Sequence, residues 1–141
     1  MNDKFFIDTN IVIYSVDNEE MIKKTRSLAL VSDSIMTGMG IISWQVVQEF
    51  LNVASRKFDT VFKPNDLSEY VKKILNPLCQ VYPDINLYQD ALRIVQSTHY
   101  GFYDSLIISS AIKGGCTILY SEDFQTGQVI NGLRIVNPFI D

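Results

Sequence analysis

The 141-residue chain is expected to fold as a three-layer α/β/α domain around a central, mostly parallel sheet of about five strands. Three observations lead there. Short apolar runs of strand length alternate with amphipathic, helix-length segments along the whole chain, the pattern of parallel strands joined by right-handed crossovers. No repeat or linker divides the chain, so residues 1–141 read as one domain. Acids fall just after strands and at helix starts, where an open α/β sheet binds its ligands.

Composition narrows the class. Apolar residues make up 47% and charged residues 20%, an ordinary globular balance. No uninterrupted apolar stretch approaches the roughly 20 residues that span a bilayer, and no basic segment precedes a signal-type apolar core. The expectation is a cytoplasmic protein with no membrane partner. Cys79 and Cys116, both in apolar runs, read as reduced buried thiols rather than metal ligands. The net charge of −4 argues against nucleic-acid binding through bulk charge. It argues less if acids are gathered in one place, because bound cations invert the local potential.

The elements follow in order. Residues 4–8 form a first strand buried on both faces, and Asp8 or Thr9 caps a short helix that runs to about Asp17. A helix is expected over residues 19–32, with Met21, Ile22, Thr25, Leu28 and Ala29 on its apolar face and Lys23, Lys24 and Arg26 elsewhere. Gly38 and Gly40 break the pattern, and Ile41 and Ile42 centre a second strand. Ser43 caps a clearly amphipathic helix over residues 44–57. Val46, Val47, Phe50, Leu51, Ala54 and Phe58 line its apolar side; Gln45, Gln48, Asn52 and Arg56 lie opposite. A loop over residues 62–66 leads to a helix over 67–76, then a strand over 78–82 closed by Pro83. Asn86 caps a helix over 87–98. After an aromatic loop, His99 to Tyr103, Asp104 opens a helix over 105–113 that is apolar almost all round and so central; Gly114 and Gly115 end it. A fourth strand covers 116–120, and a polar loop leads to a last strand over 133–136.

Four places put an acid where a soluble fold does not require one: Asp8, Glu49, Asp104 and the pair Glu122-Asp123. Each alone has a plain structural reading. Asp8 and Asp104 are good helix caps, Glu49 a solvated helix residue, and Glu122 and Asp123 turn residues. Together they converge, because the first and fourth strands can be neighbours at the switch point of the sheet. Clustered carboxylates must take up protons or be neutralised by cations. Hard oxygen donors of this kind suit Mg²⁺ or Mn²⁺.

The motifs Phe-Ile-Asp8-Thr9-Asn10, Gln48-Glu49-Phe50, Tyr103-Asp104-Ser105-Leu106-Ile107 and Leu119-Tyr120-Ser121-Glu122-Asp123-Phe124 occur in this order over nearly the whole chain. In this the chain resembles the PIN domain, above all the single-domain VapC-type toxin ribonucleases of toxin–antitoxin pairs. The resemblance implies a Mg²⁺- or Mn²⁺-dependent endoribonuclease with an acidic quartet matching Asp8, Glu49, Asp104 and Asp123. It implies that Thr9, Asn10 and Ser121 orient those groups, and that Glu49 acts as a ligand through water or as a general base. RNA is then the substrate, an antitoxin protein the partner, and dimerisation a tendency. One departure concerns the last motif, often Thr-x-Asp and here Ser121-Glu122-Asp123. Serine keeps the hydroxyl; Glu122 beside Asp123 leaves two candidates for the fourth ligand, of which Asp123 has the spacing the motif requires and is favoured.

Other residues have two readings each. Lys23, Lys24, Arg26, Arg56, Lys57 and Arg134 are solvated surface charges or groups that steer phosphate. Tyr100, Phe102 and Tyr103 pack in the core or stack on bases, packing being the first expectation. His99, the only histidine, belongs to a loop or the surface. A receiver-type signalling domain fits poorly, since no Lys follows Lys113 and the central strand ends in Pro83 rather than an acid. A haloacid-dehalogenase-like phosphatase needs Asp-x-Asp where this chain has Asn10. A PIN-like module that binds RNA or a partner without cutting ranks below the nuclease, because all the motif acids are present.

Overall fold

The computed structural model describes residues 3–57 and 62–140. Its sheet has six strands: β1 (Phe5–Ile7), β2 (Gly40–Ser43), β3 (Cys79–Val81), β4 (Ile118–Tyr120), β5 (Val129–Ile130) and β6 (Leu133–Val136). The order is β3-β2-β1-β4-β6-β5, and every pair is parallel except β5–β6. The strand beyond the expected five is β5, in what reads as a polar loop. Two residues of strand are too few to show an alternation, and only the hairpin with β6 defines them.

The helices are α1 (Thr9–Tyr14), α2 (Met21–Thr37), α3 (Trp44–Lys57), α4 (Pro64–Tyr70), α5 (Asn76–Leu78), α6 (Ile85–Thr98) and α7 (Phe102–Lys113). A π-helical stretch, Val71–Leu75, joins α4 to α5. The helices flank the sheet: α1 packs on α2 and α3, while α6 packs on α7 and α7 lies against β2, β4 and β6. Strand residues Phe6, Ile7, Ile41, Ile42, Leu119 and Ile135 are fully buried between these layers. Seven of α7's residues are buried, as its apolar circumference requires.

Several boundaries shift from the sequence reading, each for a local reason. Helix α6 starts at Ile85 because Asp84, not Asn86, is its cap; Asp84 Oδ1 accepts from Leu87 N at 2.7 Å. Helix α7 starts at Phe102, with Gly101 as the capping residue, so Asp104 sits in the first turn instead of before it. Helix α4 starts at Pro64, whose missing N–H suits a first helical position. Ser43 does cap α3, accepting from Val46 N at 3.4 Å. Phe58, expected to extend the apolar stripe of α3, lies outside the described residues.

The largest correction concerns α2, which runs to Thr37 and ends on left-handed Gly38. Its expected apolar face, Met21, Ile22, Thr25, Leu28 and Ala29, points outward. The residues it buries are Ser27, Val31 and Ser34. Close approach explains the reversal. Ser34 packs over Gly40 of β2, where an added Cβ would collide with the Ser34 side chain and the Phe5 ring. Small residues are therefore needed on the inner side of α2, and its large apolar ones are left outside.

Two glycines separate this contact from general backbone effects. Gly40→Ala should destabilise the fold by about 1–3 kcal/mol through overpacking. Gly101→Ala, with nothing near its added Cβ but at the cap of α7, should cost less, up to about 1 kcal/mol. Urea denaturation of both variants measures the difference.

Candidate active site

The strand order places the switch point between β1 and β4, and their register fixes what meets there. Ile7 pairs with Tyr120, so the next residues, Asp8 and Ser121, leave the sheet side by side. Asp8 N donates to Tyr120 O at 3.1 Å, continuing the ladder. Asp8 also caps α1, its Oδ1 accepting from Thr9 N at 2.7 Å. Its second oxygen, Oδ2, accepts from Ser121 Oγ at 2.7 Å. The same Ser121 oxygen accepts from Asp123 N at 3.1 Å, so one buried hydroxyl ties both acidic segments together.

The other side chains arrive from α1, α3 and α7. Thr9 Oγ1 donates to Glu49 Oε1 at 2.5 Å, and Asn10 Nδ2 donates to Asp123 Oδ2 at 2.8 Å. Gln45, one turn before Glu49 on α3, donates its Nε2 to Glu49 Oε2 at 3.3 Å and to Tyr103 O at 3.1 Å. Asp8, Glu49, Asp104 and Asp123 all line one cavity of about 310 Å³. The sequence-derived residues Asp8, Thr9, Asn10, Glu49, Asp104, Asp123 and Ser121 thus come together, with Ser121 just beneath the cavity.

Glu122 does not join them. Its Oε1 accepts from Tyr14 Oη at 2.5 Å, and its Oε2 pairs with Lys23 Nζ at 3.0 Å. The Lys23 ammonium also stands 4.7 Å from the Tyr14 ring centre. Lys23 is thereby committed to a structural pair instead of facing the acids. Lys57 is committed likewise, to Asp17 at 3.1 Å. Lys24 donates to Asn18, Arg26 to Pro138 O and Arg56 to Asn52 O. No Lys or Arg is among the described residues lining the acidic cavity.

Gln45 is a site residue that sequence reasoning missed. Periodicity puts it on the polar side of α3, yet it is buried. The available signal was its i, i+4 spacing to Glu49, which places both on one helix face. The aromatics divide. Tyr100 packs edge-on against Phe124, and its hydroxyl donates to Gln128 at 2.6 Å. Phe102 and Tyr103, expected in the core, are exposed; of the two, Tyr103 lines the acidic cavity. His99 is an exposed left-handed residue ending α6. Cys79 and Cys116 are buried free thiols, and burial pushes Cys116 up to about 12.

The electrostatics follow from four acids with no cation among the described lining residues. Burial raises the Asp8 carboxyl to about 7. The hydrogen bonds from Ser121 and Thr9 N oppose this, and the charges of Asp123 and Glu49 add to it. Asp123 is also raised, by burial first and then by Glu122, Asp104 and Glu49. The donor set is all hard oxygen, which suits a divalent cation such as Mg²⁺. Among the described residues no three His, Cys, Asp or Glu groups already converge on a metal point. The acids surround a cavity, each of three held by its own neutral donor, with Asp104 exposed at the edge.

The fold and site can now be set beside known proteins. The PIN domain family model matches residues 5–129, and the chain belongs to that family. No curated protein sequence matches it. Its fold is similar to FitAcB from Neisseria gonorrhoeae, at 17% identity and TM-score 0.66, over 96% of this chain and 98% of that one. It is similar to DNA-bound VapBC from Salmonella typhimurium, at 20% identity and TM-score 0.64, over 95% and 97%. VapC20 from Mycobacterium tuberculosis, a sarcin-ricin loop cleaving toxin, aligns at 15% identity and TM-score 0.63, over 92% and 98%. None of the helices among the described residues is long and apolar enough to cross a membrane.

The raised Asp8 carboxyl has a stability consequence in metal-free protein. Its folded pKa lies above the ordinary value, so the folded state holds the extra proton between about pH 4 and 7. This contribution is complete below pH 4 and is lost as pH rises through 7. Metal-free protein should be less stable at pH 8 than at pH 5 by on the order of 2 kcal/mol from this group. Asp8→Asn should flatten that dependence, and Mg²⁺ or Mn²⁺ should raise the Tm more at pH 8 than at pH 5. Thermal melts across pH, with and without the cation, measure this.

Proposed function

We propose that this chain is a Mg²⁺- or Mn²⁺-dependent endoribonuclease and the toxin of a type II toxin–antitoxin pair, acting in the cytoplasm. The observation that carries the reading is the acidic cavity at the β1/β4 switch point, lined by four carboxylates and by no cation among the described residues. Asp8, Asp104 and Asp123 are the proposed ligands, with Glu49 a ligand through water or a general base. When bound, the cation supplies an activated water and neutralises charge on the scissile phosphate.

The chain's own residues do the positioning. Ser121 holds Asp8 and the Asp123 backbone in one register, and Asn10 orients the Asp123 carboxylate. Thr9 and Gln45 each donate to one oxygen of Glu49. Both bonds fix where the Glu49 carboxylate stands, within reach of a water at the acids. An antitoxin is part of this reading. The outward apolar side of α2, with Ile22 77% and Met36 81% exposed, supports a protein partner there. The similarity in fold to DNA-bound VapBC from Salmonella typhimurium supports it.

Asp8→Asn and Asp104→Asn should each lower cleavage of single-stranded RNA by at least about a hundredfold while leaving the fold intact. Glu122→Gln should stay within about threefold of the parent, since its carboxylate serves the part-buried pair with Lys23 and does not line the acidic cavity. Cleavage assays with added Mg²⁺ or Mn²⁺, and with chelator, check both. Full metal-dependent activity in a clean Asp8→Asn preparation would overturn the assignment.

A further inference from the structure

A second cavity, of about 400 Å³, opens beside the acids, between the starts of α3, α6 and α7 and the end of β3. Trp44, Tyr88, Phe102 and Tyr103 line it, and all four are partly exposed. Gln45 and Tyr103 line both cavities, so the two hollows share a wall.

The polar atoms in this wall point to a ligand. Among the described residues three buried side-chain polar atoms lack a hydrogen-bond partner, and two belong here: Gln45 Oε1 and Ser110 Oγ. The Gln45 amide can face only one way, because its Nε2 must serve the two acceptors Glu49 Oε2 and Tyr103 O. Its carbonyl is therefore the end left without a donor. Buried groups of this kind are rare and costly unless something completes them.

We infer that this cavity is a nucleobase subsite, holding the base beside the phosphate that the acids address. The inference rests on the nuclease reading above. A base has flat faces that stack on aromatic rings and an edge carrying N–H donors and acceptors. It would cover the rings and, where the wall that buries these two atoms in the free protein opens, supply a donor to Gln45 Oε1 or Ser110 Oγ. An apolar surface from a second copy would cover the rings but leave both polar atoms unpaired. A phosphate or ribose alone would satisfy neither the rings nor the carbonyl as well.

Trp44 is the only tryptophan in the chain, so its fluorescence reports this cavity. Titration of the full chain, without divalent metal, with AMP, GMP, CMP or UMP should quench it saturably; ribose 5-phosphate should not. Tyr88→Ala should weaken nucleotide binding about tenfold. Ser110→Ala should weaken it about threefold or more with an unchanged or raised Tm, since the hydroxyl it removes has no partner in the free protein. The subsite is refuted if none of the four nucleotides quenches, or if ribose 5-phosphate quenches equally. It is also refuted if Trp44 emission follows protein concentration and a second copy excludes nucleotide. RNA cleavage with no nucleotide quenching would refute the subsite alone. Nucleotide quenching with no RNA cleavage under any divalent metal would refute the nuclease reading and leave a base-binding site.

Discussion

The pairing of β1 with β4 is the constraint on which the site depends. It joins residues more than a hundred positions apart and sets them in a register that brings Asp8 level with Ser121. From there one hydroxyl holds two acidic segments, because Ser121 Oγ both donates to Asp8 and accepts from Asp123 N. A shift of a single residue in that register would turn Asp8 or Ser121 to the other face of the sheet. The buried Phe6, Ile7 and Leu119 make such a shift expensive. The hydrophobic core thus secures the geometry of a polar site built on its edge.

That geometry is paid for in charge. Folding crowds carboxylates into a partly dry cavity with no cationic side chain along its described lining, and lifts Asp8 towards neutrality. The neutral donors Thr9, Asn10, Gln45 and Ser121 fix where the carboxylates stand without cancelling their charge. The nearby cations are spent elsewhere, Lys23 on Glu122 and Lys57 on Asp17. The same economy explains two adjacent acids with different fates: Glu122 neutralises Lys23, and Asp123 is left facing the cavity.

The surfaces around the site carry a second pattern. Helix α2 presents small residues to β2 and large apolar ones outward, whereas Phe102 and Tyr103 leave the core, Tyr103 lining the acidic cavity. Both features leave large apolar side chains partly exposed. In the proposed function they divide the labour, the first meeting a protein partner and the second a base.

By itself the sequence determined the strand–helix alternation, the parallel sheet and the set of acids, because these follow from periodicity, capping chemistry and motif order within short windows. Asp8, Glu49, Asp104 and Asp123 were legible only as a set, because each alone reads as a cap, a surface or a turn residue while their order and places along the chain converge on one sheet edge. Only the tertiary structure decided which way amphipathic faces turn. The buried side of α2 is set by a glycine on another element, and the burial of Gln45 by the acceptors Glu49 and Tyr103 O. The different surroundings of Glu122 and Asp123 were also decided there, since Tyr14 and Lys23 reach only one of them. Local pattern records what a residue prefers; contacts between distant segments fix what it meets.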